Sequence, residues 1–272
     1  MIQRNTTPRY EKKSLLGNLQ SNGKNFDVFQ NKISIHLINT EEHLNVLNKF
    51  FDEVYVDEVQ DLYGYDLDLL HTFAKTTCTV FLVGDFYQHT YKSSQFKGYG
   101  KIPFKTYFGY LDSFEKAGFD VDTTTLKTSY RCSHEICKFI EDNLKIKIVS
   151  SQKNKEVLRF VKEENEIIEL INDINTVKLF YNNWEKYNMN CQNWGNSKGL
   201  TYNSVLVILN KDISKMIEKS ELHKLSNLAF STKSKLYVAL TRSSGSTFIV
   251  TQTDFLKVLS NQESIYNNVE SK

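Results

Sequence analysis

The chain has 272 residues, a net charge of +2 at pH 7, and 40% hydrophobic residues. This apolar content suffices for a sizeable core, and the mild positive charge permits nucleic-acid contact without requiring it. No apolar run approaches the roughly 18 residues of a membrane span, and the N-terminal residues have no apolar h-region of a secretory signal. The four cysteines show no paired framework, which favours a reduced, cytoplasmic setting.

The first half of the chain alternates between strand and helix patterns. KISIHLINT (32–40) predicts a strand, and Thr40 can cap the following helix, EEHLNVLNKFF (41–51). The next predicted elements are the strand EVYVDE, a helix from about 66 to 75, and the strand CTVFLVGD (78–85). This order with short links predicts a parallel sheet covered by helices. Residues 1–31 show no periodicity and are not assigned.

A second alternating set begins near Phe119 and predicts a second α/β unit, joined to the first near residues 112–120. Its predicted strands are FDVDTTTL (119–126), KIKIVS (145–150), VLRFVK (157–162), VKLFYN (177–182), SVLVILN (204–210) and STFIVTQ (246–252). Its predicted helices are SHEICKFIEDNLK (133–145, capped by Ser133), EENEIIELINDI (163–174) and KSKLYVALTR (233–242).

Five short runs carry candidate chemistry. In VDEVQD, an apolar strand ends in Asp57 and Glu58, a pair suited to hold magnesium and orient a water, although such a pair also fits an ordinary loop start. In VFLVGDFYQ, the amide of Gln88 could sense a terminal phosphate. In LKTSYRC, Arg131 precedes a helix, and its guanidinium suits bidentate phosphate contact. The others are SKGLTYNSV and YVALTRS, where Arg242 alone would fit the surface end of a helix.

Together and in this order, the runs resemble the motifs of superfamily 1 helicases of the UvrD/Rep/PcrA type. VDEVQD is similar to DExQD, GDFYQ to GDxxQ, and the other three to the NYRS, KGLEFD and YVALTRA motifs. The resemblance covers roughly residues 54–250. It implies an α/β fold of two RecA-like domains, each a mainly parallel sheet covered by helices, over 32–117 and 118–272. It also implies ATP between the domains and single-stranded DNA across both.

By position, the resemblance implies a role for each motif residue. Asp57 would bind magnesium, and Glu58 would be the catalytic base for ATP hydrolysis. Gln88 would couple the γ-phosphate to DNA contact. Arg131 and Arg242 would be arginine fingers. The residues implied near nucleotide and DNA are Lys198, Gly199 and Thr201.

The sequence departs from the family pattern at the phosphate loop, G-x-x-x-x-G-K-[ST], whose backbone N–H groups and lysine hold phosphates. The nearest run is GNLQSNGKN (17–25), with five residues between its glycines and Asn25 where a hydroxyl is expected. Lys24 is therefore either a relic of the loop or part of a solvated turn. Thr201 replaces the usual acidic residue, and the motif spacing leaves no room for the large inserted subdomains of UvrD-type helicases.

The run after Gln88, HTYKSSQFKGYGKIPFKTYFGY (89–110), interleaves aromatic residues with lysines. Rings that stack on bases beside lysines that contact phosphates are typical of single-strand binding. Tyr91, Phe96 and Lys97 are the predicted contacts, and about half of the aromatics fit core packing instead. The cysteines show no paired framework. The Cys132–Cys137 spacing matches no common zinc site and favours packing on a helix face.

Three hypotheses follow. The first is a helicase-like protein that binds single-stranded nucleic acid with little intrinsic ATPase activity and acts with a partner, such as a nuclease or a chain that supplies a phosphate loop. The second is an active compact DNA-stimulated ATPase with a degenerate or trans-supplied loop. The third is a fragment of a parent with the full motif.

Overall fold

The computed structural model describes residues 41–62, 64–90, 106–151 and 157–270. Its chain divides into two compact units. The described part of the first comprises 41–62, 64–86 and 106–121, and that of the second comprises 87–90, 122–151 and 157–270. The predicted strand 32–40 lies outside the described residues. The assignment of 32–117 and 118–272 to two RecA-like domains remains a prediction.

The described part of the first unit contains a parallel pair of strands and three α-helices. They are α1 (Glu41–Phe50), β1 (Glu53–Val56), α2 (Tyr65–Thr72), β2 (Thr79–Leu82) and α3 (Tyr107–Ala117). Val54 of β1 is paired with Val80 of β2 in parallel register. Helix α3, which the sequence did not predict, begins where the Thr106 hydroxyl accepts a hydrogen bond from Gly109 N (3.1 Å). It ends at Gly118, whose φ of 106° favours glycine.

The second unit contains a short pair of strands, β3 (Thr128–Ser129) and β4 (Val149–Ser150), and a five-stranded parallel sheet. The sheet order is β5-β9-β8-β6-β7. Its strands are β5 (Leu158–Phe160), β6 (Thr176–Phe180), β7 (Cys191–Asn193), β8 (Tyr202–Ile208) and β9 (Ser243–Val250). The helices of this unit are α4 (His134–Leu144), α5 (Glu164–Asn172), α6 (Lys211–Glu218), α7 (Phe230–Leu240) and α8 (Gln252–Glu270).

Both faces of this sheet are covered by helices. Val205 and Val207 of β8 belong to a buried cluster with residues of α4 and α7, whereas Leu206 and Ile208 belong to a second cluster with residues of α5 and α8. Alternate residues of a strand point to opposite faces, and burial of both faces is typical of parallel sheets. The predicted α/β fold with parallel sheets covered by helices is confirmed.

The predicted strand 119–126 is wrong. The structure has turns and bends there, and Asp122 accepts hydrogen bonds from the backbone N–H groups of Thr124 (2.7 Å) and Thr125 (3.2 Å). These bonds and those from the two threonine hydroxyls hold the pKa of the Asp122 carboxyl well below its usual range. An Asp that bonds nearby backbone favours a turn over a strand. Helices α6 and α8 were not predicted. Among the described residues, no helix is long and apolar enough to cross a membrane.

Candidate active site

The carboxylate pair lies at the end of β1 in the first unit. Asp57 is exposed, and its Oδ1 accepts a hydrogen bond from Glu58 N (2.7 Å). Glu58 has left-handed backbone angles, φ 56° and ψ 37°. A non-glycine residue in this region costs of the order of 1 kcal/mol and is frequent at functional sites. The turn therefore places the two carboxylates at the strand end at some cost in backbone strain.

Gln60 connects Glu58 to the end of β2. It is only 3% exposed, its Nε2 donates to Glu58 Oε2, and its Oε1 accepts from Asp85 N (3.0 Å). One amide thus orients the predicted catalytic base relative to the Gly84–Asp85 turn. Gln60 was not among the residues predicted from the sequence, where a glutamine between the two acidic positions of VDEVQD was the available signal.

Gly84 is required by this arrangement. A Cβ at this position would lie 2.8 Å from Val59 Cγ2 and would overlap Gln60 Oε1. The backbone reinforces the close approach, because Val59 N donates to Val83 O (3.1 Å). Any side chain at position 84 would therefore displace the amide that holds Glu58.

Aromatic residues of α3 lie beside acidic groups of the same unit. Burial raises the pKa of the Tyr110 hydroxyl above its usual range, and the charges of Asp61 and Asp85 add to the rise. Tyr110 packs against Phe86 with ring centroids 5.2 Å apart. Within the described residues, no group of three or more His, Cys, Asp and Glu side chains is arranged as a metal site. Magnesium is commonly held by one or two carboxylates with waters and phosphate oxygens, and an exposed Asp57 fits that pattern.

Arg242 lies in the second unit between α7 and β9, and it is only 2% exposed. Its Nε donates to Val238 O (3.0 Å), and its Nη2 to Thr241 Oγ1 (3.0 Å). Its Nη1 donates to Leu200 O (3.4 Å). The alternative that Arg242 is a surface residue at a helix end is therefore wrong, because its guanidinium is buried among acceptors from several segments.

Gln88 lies against Arg242. The Nη2 atom of Arg242 donates to Gln88 Oε1 at 3.3 Å. The residues on either side pack on α7, since Tyr87 lies against Tyr237 (6.2 Å between ring centroids) and His89 against Phe230 (6.3 Å). The structure thus brings the predicted phosphate sensor together with a predicted arginine finger.

Arg131 approaches the same end of α7. Its Nη1 donates to Thr241 O at 3.1 Å. Arg131 lies two residues before Ser133, the residue that caps α4, whose hydroxyl accepts a hydrogen bond from Ile136 N (3.3 Å). The Cys132 thiol also donates to Thr241 O (3.8 Å). A hydrogen bond from the Cys137 thiol, together with the charges of Arg131 and Arg242, lowers the pKa of the Cys132 thiol. Cys137 lies in α4 and Cys132 just before its cap, and the burial of both thiols agrees with packing.

The segment that contains Lys198, Gly199 and Thr201 is a turn before β8. Gly199 has φ 78°, a left-handed conformation that favours glycine, and Lys198 N donates to Gly195 O (3.2 Å). The carbonyl of the next residue, Leu200, accepts from Arg242, so this turn lies beside the buried arginine. Thr201 is exposed. Lys24, Tyr91, Phe96 and Lys97 lie outside the described residues.

A protein-family model, the viral superfamily 1 RNA helicase core domain, matches residues 18–251. The chain belongs to this family. The predicted superfamily 1 helicase membership is confirmed, whereas the match does not extend to the UvrD/Rep/PcrA type. The matched region includes every motif described above and begins inside the GNLQSNGKN run. A comparison with curated proteins gives no match.

Several solved structures of viral helicases are similar to this helicase core chain. A structure of the PRRSV helicase has 18% identity and a TM-score of 0.44, over 73% of this chain and 34% of that one. An arterivirus nonstructural protein 10 helicase in complex with DNA has 16% identity and a TM-score of 0.46, over 73% and 39%. Another arterivirus nonstructural protein 10 has 15% identity and a TM-score of 0.44, over 77% and 50%. The chain therefore spans half or less of these helicases.

Proposed function

We propose that this chain is a helicase core that binds single-stranded nucleic acid and MgATP, with a low intrinsic rate of ATP hydrolysis. The observation that carries the proposal is the buried Gln60, which connects Glu58 to Asp85 N (3.0 Å from Gln60 Oε1). A carboxylate at an ordinary loop start would not require a buried amide and a side-chain-free residue at Gly84 to orient it. The arrangement supports a catalytic base that acts from a fixed position.

MgATP, when bound, supplies the phosphoanhydride bond whose hydrolysis drives the motor. Asp57 would be the carboxylate on magnesium, and Glu58 would accept the proton of the attacking water. Arg131 and Arg242 would contribute positive charge toward phosphate oxygens. Gln88, bonded to Arg242 and next in the chain to the aromatic and lysine run, would link the nucleotide to the nucleic acid.

The low rate follows from the departures around Lys24. Asn25 cannot provide the hydroxyl ligand that phosphate loops give to magnesium, and the spacing of the glycines differs by one residue. Loss of part of this charge stabilisation is an effect of several kcal/mol on the barrier. This departure also favours the second candidate, in which a partner supplies the missing phosphate contacts or a nuclease acts with this chain.

The strand is proposed to be RNA or DNA. The motif resemblance to UvrD/Rep/PcrA enzymes favours DNA, whereas the family to which the chain belongs is described as an RNA helicase core. Competition between matched oligouridylate and oligothymidylate for the protein decides between them. A UvrD-like preference would appear as tighter binding of the deoxy strand.

The test is ATP hydrolysis with and without single strands, for the wild type, Glu58→Gln and Glu115→Gln. Glu115 is an exposed residue of α3 in the same unit and is the matched control. We expect slow hydrolysis, stimulated by the strand, that is lost in Glu58→Gln and kept in Glu115→Gln. Hydrolysis that is equal in the two variants would refute the role of Glu58. Loss of activity in Lys24→Ala would assign the phosphate contact to this chain and not to a partner.

A further inference from the structure

Two serine hydroxyls hold the backbone of the segment that contains Arg131. Ser129 is the last residue of β3, and its Oγ accepts hydrogen bonds from the backbone N–H groups of Arg131 (3.3 Å) and Cys132 (3.0 Å). Ser150 is the last residue of β4, and its hydroxyl donates to the carbonyl of Cys132 (2.6 Å). Side chains of two neighbouring strands therefore bind the backbone on both sides of the Arg131–Cys132 peptide bond.

The register of the short strand pair brings the two serines together. Ser129 of β3 is the parallel partner of Ser150 of β4. Each of these strands has two residues, and Ser151 N donates to Ser129 O (2.9 Å) just past the end of the pair. Because such a short ladder fixes few backbone groups, the serine hydroxyls supply the bonds that hold the chain beyond it.

The Ser129 hydroxyl closes a turn that leads into α4. A serine oxygen that accepts from the N–H groups two and three residues ahead offers the backbone an alternative to extended structure. The chain therefore leaves β3 at Ser129 and enters α4 after its cap, Ser133. Tyr130 lies between them and is 78% exposed, so burial of its ring contributes little to holding this segment.

The guanidinium of Arg131 is held at the other end of its side chain. Its Nη1 donates to Thr241 O (3.1 Å), the carbonyl that directly precedes Arg242. Since an arginine side chain extends from its own Cα, the place that its guanidinium can reach depends on where the backbone is fixed. A misplacement of about 1 Å in a catalytic site can lower the rate about a hundredfold. The serine bonds therefore lie where they can set the position of the Arg131 guanidinium.

We propose that Ser129 and Ser150 are positioning residues for Arg131 in ATP hydrolysis. They act through the backbone of Arg131 and Cys132, and Arg131 alone contributes charge toward phosphate oxygens. The inference rests on the proposed function, since it assigns the serines to the same reaction. Ser151 offers a matched control, because its exposed hydroxyl donates to Ser129 O (3.2 Å) and not to the Arg131–Cys132 backbone.

The first test measures ATP hydrolysis by the full chain with saturating oligouridylate or oligothymidylate. Ser129→Ala removes the acceptor of two backbone N–H groups, and we expect kcat to fall about tenfold with the KM for ATP changed less than about twofold. An asparagine oxygen closes the same kind of turn, so Ser129→Asn should keep more than about half of the wild-type kcat. Ser151→Ala should hydrolyse ATP as the wild type does.

The second test determines whether Ser129 acts through Arg131. Ser129→Ala is combined with Arg131→Lys, which lacks the guanidinium that the turn is proposed to position. We expect Ser129→Ala to lower kcat less than about twofold in this background, against about tenfold in the wild type, because the two changes remove one shared effect. An equal loss in both backgrounds would assign Ser129 to the fold alone and overturn the inference.

A third variant keeps the proposal testable if Ser129→Ala fails to fold. Ser150→Ala removes a different bond to the same segment and should also lower kcat with little change in the KM for ATP. Thermal unfolding checks the folding of every variant. Wild-type kcat in both Ser129→Ala and Ser150→Ala would overturn this inference alone, whereas absence of hydrolysis by the wild type would overturn the proposed function as well.

Discussion

Substitution of Gly84 by alanine tests the geometry of the carboxylate site most directly. The new Cβ would lie 2.8 Å from Val59 Cγ2 and overlap Gln60 Oε1, so the Gln60 amide must move. Its movement breaks the bond from Asp85 N, which costs about 1–3 kcal/mol when a buried polar group is left without a partner. Overpacking in a filled site costs about 1–3 kcal/mol. We therefore expect Gly84→Ala to destabilise the chain by about 3 kcal/mol and to abolish hydrolysis, because Glu58 loses its orienting amide.

The assay is urea unfolding followed by far-ultraviolet circular dichroism, together with the rate of ATP hydrolysis. The control is Gly109→Ala in the same unit, where Thr106 Oγ1, 3.3 Å away, is the nearest atom to the new Cβ and no atom of the carboxylate site lies within 4 Å. Both tryptophans, Trp184 and Trp194, lie in the second unit, so their fluorescence reports that unit separately. An unfolding midpoint and hydrolysis rate for Gly84→Ala equal to those of Gly109→Ala would refute the proposed role of Gln60.

Three further predictions concern the second unit. Arg242→Lys should lower the free energy of unfolding by about 2–4 kcal/mol, because a lysine ammonium cannot satisfy all the acceptors that the Arg242 guanidinium contacts. The measurement is urea unfolding followed by tryptophan fluorescence, and an unchanged unfolding midpoint would contradict this prediction. Gln88→Leu removes the acceptor of Arg242 Nη2, and we expect stimulation of ATP hydrolysis by single strands to fall while the basal rate is kept; equal loss of both rates would contradict a coupling role. Burial lowers the pKa of Lys178, whose Nζ donates to Asp173 O (2.6 Å), so the folded state disfavours its charged form. The free energy of unfolding of the wild type should therefore increase as pH rises from that lowered pKa toward the unfolded-state pKa of about 10.4. In Lys178→Met, which lacks the titrating group, urea unfolding measured from about pH 7 to about pH 10.5 should show no such increase.

The sequence pointed to the candidate carboxylates but not to their surroundings. Asp57 and Glu58 could be identified because an apolar strand that ends in two carboxylates is a local pattern. Gln60 could not, because its role depends on the end of β2 approaching Val59, which only the folded sheet establishes. Arg242 was assigned to a motif by its neighbours in the sequence, but its burial depends on acceptors 42 and 154 residues away. Local propensity contains no information on such distant partners.

The errors in secondary structure have local causes. FDVDTTTL alternates as a strand does, yet Asp122 bonds the backbone of Thr124 and Thr125 and closes a turn. Helix α6 was missed although its cap was visible, since the Asn210 side chain accepts from Ile213 N (2.9 Å). Helix α3 was missed because its aromatic residues were assigned to a nucleic-acid segment. Tyr110 is instead buried, so for this ring the core-packing alternative was correct.

The bonds of Arg242 indicate how a nucleotide could be linked to a strand. The bonds to Val238 O and Thr241 Oγ1 (3.0 Å each) are local, whereas those to Gln88 and Leu200 are the longest, at 3.3 and 3.4 Å. A guanidinium that turns toward a phosphate would exchange the weakest bonds first. Gln88 leads into the aromatic and lysine run, and Leu200 belongs to the Lys198 turn, so the exchange would loosen both segments. We therefore expect ATP to increase amide hydrogen exchange at 87–90 and 195–201 in the wild type, and unchanged exchange in both segments would refute this link.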